Sequence, residues 1–328
     1  MTAQLPSVHA QPADLDAAFR THRRELTGYC YRMLGGRSEA EDAVQETLVR
    51  AWKAFDRFEG RSSLRSWLYR IATNVCLDML RSPQRRARPM DLGPSTRVAD
   101  AMLGPHRSPE TFVQPVADRD VLDLEADPAV LAVQRESVRL AFVAALQHLS
   151  PKPRAALILC DVLRFPAAEV ASLLDTTVAS VNSALQRARA TMDERRGTAL
   201  DTALHPDHQV LVERYVDAFE RYDMDAIAAL LRDDVVLSMP PYDLWIQGID
   251  ELLAWFVGPG HGCQGAKLVP VWVNGSPGFG NYRISRPGLW EPFAVQVLEI
   301  AEGRIVGHHN FLYPDQFAAF GLPPRIEA

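Results

Sequence analysis

From Ser38 to Arg81 the sequence runs SEAEDAVQETLVRAWKAFDRFEGRSSLRSWLYRIATNVCLDMLR, with apolar residues at three- and four-residue steps throughout. That spacing fits two amphipathic helices joined by a short break and excludes strands, whose period is two. In the first helix Ala40, Ala43, Val44, Leu48, Ala51, Trp52 and Phe55 form the expected core stripe, while Asp42, Gln45 and Glu46 share the other side. The second helix follows Phe58-Glu59-Gly60, with Ser62 or Ser63 as N-cap, and is expected to bury Leu64, Trp67, Leu68, Ile71, Ala72, Val75 and Met79. Its outer side carries Arg70, Asn74, Asp78 and Arg81.

A charged outer face is ordinarily just a solvated one. The joint pattern is more specific: Glu41-Asp42-Ala43-Val44-Gln45-Glu46, then Trp52, then Trp67-Leu68-Tyr69-Arg70-Ile71-Ala72-Thr73-Asn74. It resembles region 2 of the extracytoplasmic-function sigma factors of the sigma-70 family, over about residues 14–88. The resemblance implies that Asp42, Gln45 and Glu46 dock on core RNA polymerase. It also implies that Arg70, Asn74 and Arg81, with the preceding loop, hold the melted −10 element, since opened DNA needs cations for phosphates and amide or aromatic groups for bases.

The 328 residues suggest two or three domains, and the net charge of −6 is unevenly spread. Residues 14–88 carry +5 and 129–200 carry +3, whereas 89–128 carry −5 and 201–328 carry −9. The basic segments suit a polyanion such as promoter DNA, and the acidic ones suit basic surfaces. Cys30, Cys76, Cys160 and Cys263 form no CxxC pair, so neither a zinc site nor a disulfide frame is expected, and no cofactor is. No apolar run approaches a membrane span and the first residues lack signal-peptide character, so a cytoplasmic protein without membrane partner is expected.

Residues 1–13 read as disordered. Asp14 to Leu34 reads as a helix ended by Gly35-Gly36, and the basic run Arg81 to Arg88 closes the first domain. Residues 89–128, rich in Pro and Gly and without apolar period, read as a linker. From Ala129 the helical period returns. Asp175-Thr176-Thr177 separates a helix ending at Leu173-Leu174 from one running from Val178 to about Met192, the helix-turn-helix pattern. Val178, Val181, Leu185, Ala188 and Met192 form its expected buried stripe, leaving Asn182, Ser183, Gln186 and Arg187 able to reach base edges. The run from Leu146 to Arg189 resembles sigma region 4, which implies that these residues read the −35 element. In the family the linker threads near the polymerase active site.

From His208 onward, helix patterns give way to strands at Val235–Met239, Leu268–Val273, Phe279–Ser285, Phe293–Ile300 and Arg304–Leu312, an α+β cone. Residues 212–248 resemble the SnoaL-like superfamily, which holds isomerases, cyclases and hydrolases besides non-catalytic members. Tyr215 matches an oxyanion-stabilising tyrosine of the isomerases. The base position holds Met239, which cannot accept a proton, so enzymatic chemistry is not expected. Tyr215, Met239, Tyr242 and Trp245 outline a candidate small-molecule pocket, although such aromatics are more often core. His308 and His309, adjacent in a strand, point to opposite faces and cannot share a metal.

The expected layout is thus sigma region 2 at 14–88, linker at 89–128, sigma region 4 at 129–196 and a SnoaL-like domain at 207–328. Two all-α domains are followed by an α+β one. The ending Phe317 to Pro323 resembles the tail of sigma factors with this fused extension, which implies control by the extension in place of a separate anti-sigma protein. Two rivals remain: an isomerase or hydrolase that the helical domains merely target, and a DNA-binding regulator that never joins polymerase.

Overall fold

The computed structural model describes residues 12–60, 62–81, 86–101, 103–195, 200–201 and 206–328. The expected disordered segment up to residue 11, and residues 82–85 of the basic run, lie outside the described residues. In chain order the helices are α1 (Pro12–Leu34), α2 (Arg37–Ala54), α3 (Leu64–Met79), α4 (Pro89–Leu92), α5 (Asp118–Val121), α6 (Pro128–Glu136), α7 (Leu140–Leu146), α8 (Pro151–Leu157), α9 (Ala167–Leu173) and α10 (Val178–Glu194). Then come α11 (Pro206–Arg221), α12 (Met224–Ala228), β1 (Leu231–Ser238), β2 (Trp245–Gln247), α13 (Ile249–Val257), β3 (Lys267–Val273), β4 (Ser276–Arg286), β5 (Leu289–Ala301), β6 (Arg304–Phe311) and β7 (Ile326–Glu327). These pack as two compact units: residues up to 84 with 120–123 and 146–195, and residues 85–119 with 124–145 and 196 onward.

The first unit is all helical. Gly35, at φ 72°, ends α1 in the left-handed conformation that a side chain disfavours. Tyr29 of α1 packs edge-on against Tyr69 of α3 at 5.3 Å, and its hydroxyl meets Thr73 Oγ1 at 2.8 Å. Buried Arg154 of α8 donates to the carbonyls of Met33, Gln147 and Leu149 and to the Gln147 amide oxygen, tying α8 to the end of α1. Arg65 of α3 pairs with Glu25 of α1 and lies 4.2 Å over the ring of Phe165, the residue that leads into α9. Ser66 donates to Glu169 of α9.

The second unit is built on one sheet in the order β2-β1-β6-β5-β4-β3, with β7 added to β5; β1 and β6 are parallel and their neighbours antiparallel. Its inner face closes with α11 to α13 over a core that includes Tyr215, Phe219, Leu237, Phe256, Phe279 and Leu298. The outer face is covered in part by the segment read as a linker. Phe112, Val113 and Leu140 share a cavity of about 10 Å³ with Ser238, His309 and Phe311. Backbone bridges join Ala87 to Phe112 and Ala117 to Val273. The segment read as a linker is therefore packed on the sheet over part of its length. An extended chain buries alternate or isolated side chains, so Phe112, Val113, Val116 and Ala117 are buried without any helical period to announce them.

At the centre of this packing sits the β3–β4 turn, Asn274-Gly275, with φ of 53° and 70°. Asn274 Oδ1 accepts from Val116 N at 3.0 Å, and its Nδ2 donates to the Val138 carbonyl at 2.7 Å. Gly275 N donates to Asp118 Oδ1 at 2.7 Å, and a Cβ on Gly275 would stand 2.5 Å from the Arg135 carbonyl oxygen. The turn therefore pins the linker on one side and the approach to α7 on the other.

Two outcomes follow from this packing. Phe112 is fully buried, so Phe112→Ala should cost about 3–5 kcal/mol in denaturant unfolding, where a free linker would show no change. Burial raises the Asp118 carboxyl to about 6 from 3.8. The folded state then favours the protonated form, and stability should fall as pH rises from about 4 to about 6. Asp118→Asn should remove that part of the slope, measured against the unaltered chain.

Candidate nucleic-acid interface

Helix α2 presents Asp42, Gln45 and Glu46 to solvent. At 100° per residue Trp52 lies beside Gln45 rather than beside Ala43 and Ala51, and it is 42% exposed, with Val49 at 43%. The expected burial of Trp52 is thereby corrected. The result is an acidic and amide face carrying an exposed Trp and Val, the kind of aromatic anchor that protein interfaces use. Glu46 pairs with Arg50 at 2.7 Å, Arg50 with Asp78 at 2.9 Å, and Asp78 with Arg81 at 2.9 Å, which connects this face to α3.

On α3 the N-cap is Ser63, whose hydroxyl accepts from Ser66 N. Arg70, Asn74 and Arg81 are exposed, and Arg70 and Asn74 lie about 40° apart on α3, with Arg81 just past its end. The buried face is displaced from the expected one, taking in Tyr69, Thr73 and Cys76 and leaving Met79 exposed. The reason is that α3 packs on α1, α2 and α9 at once, so its buried arc is wider than one stripe. Trp67 is half-buried and packs with Phe58 at 5.0 Å, and Phe58 with Phe55 at 6.3 Å. This aromatic cluster flanks the Arg70 face. Phe58 was not among the expected site residues, although an aromatic in the loop before a basic helix face is a readable signal.

The helix-turn-helix is formed by α9 and α10. Asp175 holds the turn at φ 50°, a conformation that Asp tolerates, and Thr177 caps α10 by accepting from Ser180 N at 3.2 Å. Val181, Leu185 and Ala188 are buried, and Asn182, Ser183, Gln186 and Arg187 are all exposed. Val178, expected in the core, is exposed in the first turn. Arg187 donates to Ser183 Oγ at 2.8 Å, which orients both side chains. Arg189 is instead paired with Asp161.

The cone interior holds groups that resemble a catalytic set but are already engaged. His308 Nδ1 lies 3.0 Å from Asn310 Nδ2 and its Nε2 lies 2.6 Å from the Tyr215 hydroxyl. With Asn310 donating to Nδ1, the Nε2 proton goes to Tyr215, whose own proton points to Gln296 Oε1 at 3.4 Å. Burial pushes the His308 imidazole down to about 3, so it stays neutral. His309 faces the other way, with Nδ1 2.8 Å from Ser238 Oγ and Nε2 3.3 Å from Glu299. The two histidines therefore do lie on opposite faces.

Of the four residues of the expected pocket, Tyr215 and Met239 belong to the core of the cone and Tyr242 packs against it. Tyr215 is bound to His308 and Met239 lies in the core, while Tyr242 meets His106 Nε2 at 2.6 Å and Trp245 Nε1 donates to the Gly93 carbonyl at 2.9 Å. The two outer aromatics serve the linker, which a local reading of sequence does not reveal. Tyr215→Phe should cost about 1–3 kcal/mol by leaving His308 Nε2 without its partner, readable in denaturant unfolding. A neutral result would mean that the buried network is not built as described.

Models of known families match three parts of the chain: sigma-70 region 2 at residues 18–86, sigma-70 region 4 at 139–192, and the SnoaL-like domain at 212–308. The chain is 43% identical over 320 residues to the ECF RNA polymerase sigma factor SigG of Mycobacterium tuberculosis, covering 95% of this chain and 85% of that protein. It is 26% identical over 330 residues to SigJ of the same organism, covering 94% of each. The crystal structure of M. tuberculosis SigJ is similar in fold, with a TM-score of 0.62 and 24% identity over 94% of this chain and 100% of that one.

Proposed function

The chain belongs to the extracytoplasmic-function RNA polymerase sigma factors, and we propose that its C-terminal module sets how readily the linker is released for polymerase binding. Membership in the family implies core RNA polymerase and promoter DNA as partners. In our reading Asp42, Gln45 and Glu46, with Val49 and Trp52, meet polymerase. Arg70, Asn74 and Arg81, with Phe58 and Trp67, take the −10 strand, and Asn182, Ser183, Gln186 and Arg187 read the −35 element. The observation that carries the control step is Asn274, whose one side chain holds both Val116 of the linker and Val138 before α7.

Distances argue for a conformational step. Promoter elements about 25 base pairs apart are separated by about 85 Å along B-DNA. A helical unit of about 140 residues has a radius of gyration of about 14 Å. With α3 packed on α9 through Arg65, Phe165, Ser66 and Glu169, the first unit cannot touch both elements. Binding must separate them, and polymerase supplies that free energy by its preference for the open form. The C-terminal module is read as non-catalytic, since Met239 stands at the base position and His308 is neutral and engaged. Among the described residues no helix is long and apolar enough to cross a membrane, which is compatible with a cytoplasmic factor.

Run-off transcription with bacterial core polymerase tests the assignment. Asp42→Lys with Glu46→Lys should abolish promoter-specific transcripts and polymerase association while free-DNA affinity stays within about twofold. Equal loss of DNA affinity would favour a regulator that never joins polymerase. Asn274→Ala in the full chain should raise polymerase affinity, because less free energy is needed to free the linker. An unchanged or lowered affinity in a folded variant would contradict linker control.

A further inference from the structure

Beside the Asn274-Gly275 turn a cleft of about 30 Å³ opens, lined by Arg135, Arg139, Asp201, His208, Trp272 and Ser276 among others. That volume is about twice what one water requires. Arg135 lies with its guanidinium 4.8 Å from the centre of the Trp272 ring, and its Nε is buried without a hydrogen bond. Asp118 Oδ2 forms an ion pair with that nitrogen at 3.7 Å but lies outside hydrogen-bond reach. Arg139, 8% exposed, donates one Nη2 bond to the Asp201 carbonyl, and its Nε is also buried and unpartnered. The Asp201 carboxylate does not fill the gap. It accepts from Glu302 N and Gly303 N at 3.1 Å each and from His208 at 2.9 Å, so it is engaged by other donors.

Buried guanidinium donors without acceptors are costly, and a planar fork resting on an aromatic ring is the arrangement that receives an oxyanion. We propose that this cleft binds a compact oxyanion, the phosphate or carboxylate end of a small metabolite, between Arg135 and Arg139. These arginines flank Val138, the residue whose carbonyl takes the Asn274 amide. An anion between them ties the approach to α7 more firmly to the β3–β4 turn, which makes the cleft a place where a metabolite adjusts the hold on the chain leading into region 4. It is distinct from the cone interior where a ligand was first expected. Binding here does not depend on the promoter assignments.

Thermal unfolding and calorimetry of the full chain decide the matter, with inorganic phosphate and acetate compared against chloride at equal ionic strength. Tm should rise with the concentration of phosphate, acetate or both, as a ligand of the folded state requires. A response to one probe alone identifies which anion the cleft accepts. Arg135→Gln should weaken that binding by about tenfold or more. Arg214→Gln, on the exposed side of α11, should leave it unchanged. If Arg135→Gln fails to fold, Arg135→Lys keeps the charge but loses the fork and should show the same weakening. No rise above the chloride baseline, or equal responses from the Arg135 and Arg214 variants, would overturn the proposal.

Discussion

The Asn274 carboxamide makes the two hydrogen bonds on which the second unit's construction depends. A hairpin turn normally faces water. Here its two residues, both in the left-handed region, are inserted between Val116 and Asp118 on one side and Arg135 and Val138 on the other. Asn suits the position because it tolerates that backbone conformation and offers both an acceptor and a donor. Gly275 follows because any side chain would strike the Arg135 backbone. The outer sheet face, which in an isolated cone would need a partner, is then covered in part by Phe112, Val113 and Leu140 of the same chain.

This construction joins two tasks that a sigma factor must keep in balance. Residues that lead from region 2 toward region 4 are also part of the C-terminal module's packing. The helical unit adds a second restraint, with Arg65 set between Glu25 and Phe165 and Arg154 stitching α8 to α1. Each contact is modest alone. Together they hold α3 against α9 and α8 against α1, and the outward residues of α2 and α10 are exposed.

Much of this was legible in the sequence. Periodicity placed α2, α3 and α10, and Ser63, Thr177 and Asp175 occupy caps and turns suited to their chemistry. The outward placement of Asn182 and Gln186 follows from Val181 and Leu185 being buried. Trp52 and Met79 depart from expectation because apolar character does not fix burial: α3, which touches several neighbours, buries Tyr69 and Thr73 and leaves Met79 exposed, and α2 leaves Trp52 exposed. The packing of the linker leaves no periodic signal, because extended backbone buries Phe112 and Val116 singly. Asn274-Gly275 carries a strong hairpin signal, but nothing local says what the turn will hold. Tyr242 and Trp245 likewise acquired their partners, His106 and Gly93, from more than a hundred residues away.

Hydrogen exchange at the Val113 and Val116 amides tests the account most directly. The first donates to the Ala87 carbonyl and the second to Asn274 Oδ1, so both should be protected in the free chain. This protection should be lost when core polymerase binds. Fast exchange in the free chain would contradict the pinned linker, and protection unchanged in the polymerase complex would contradict its release.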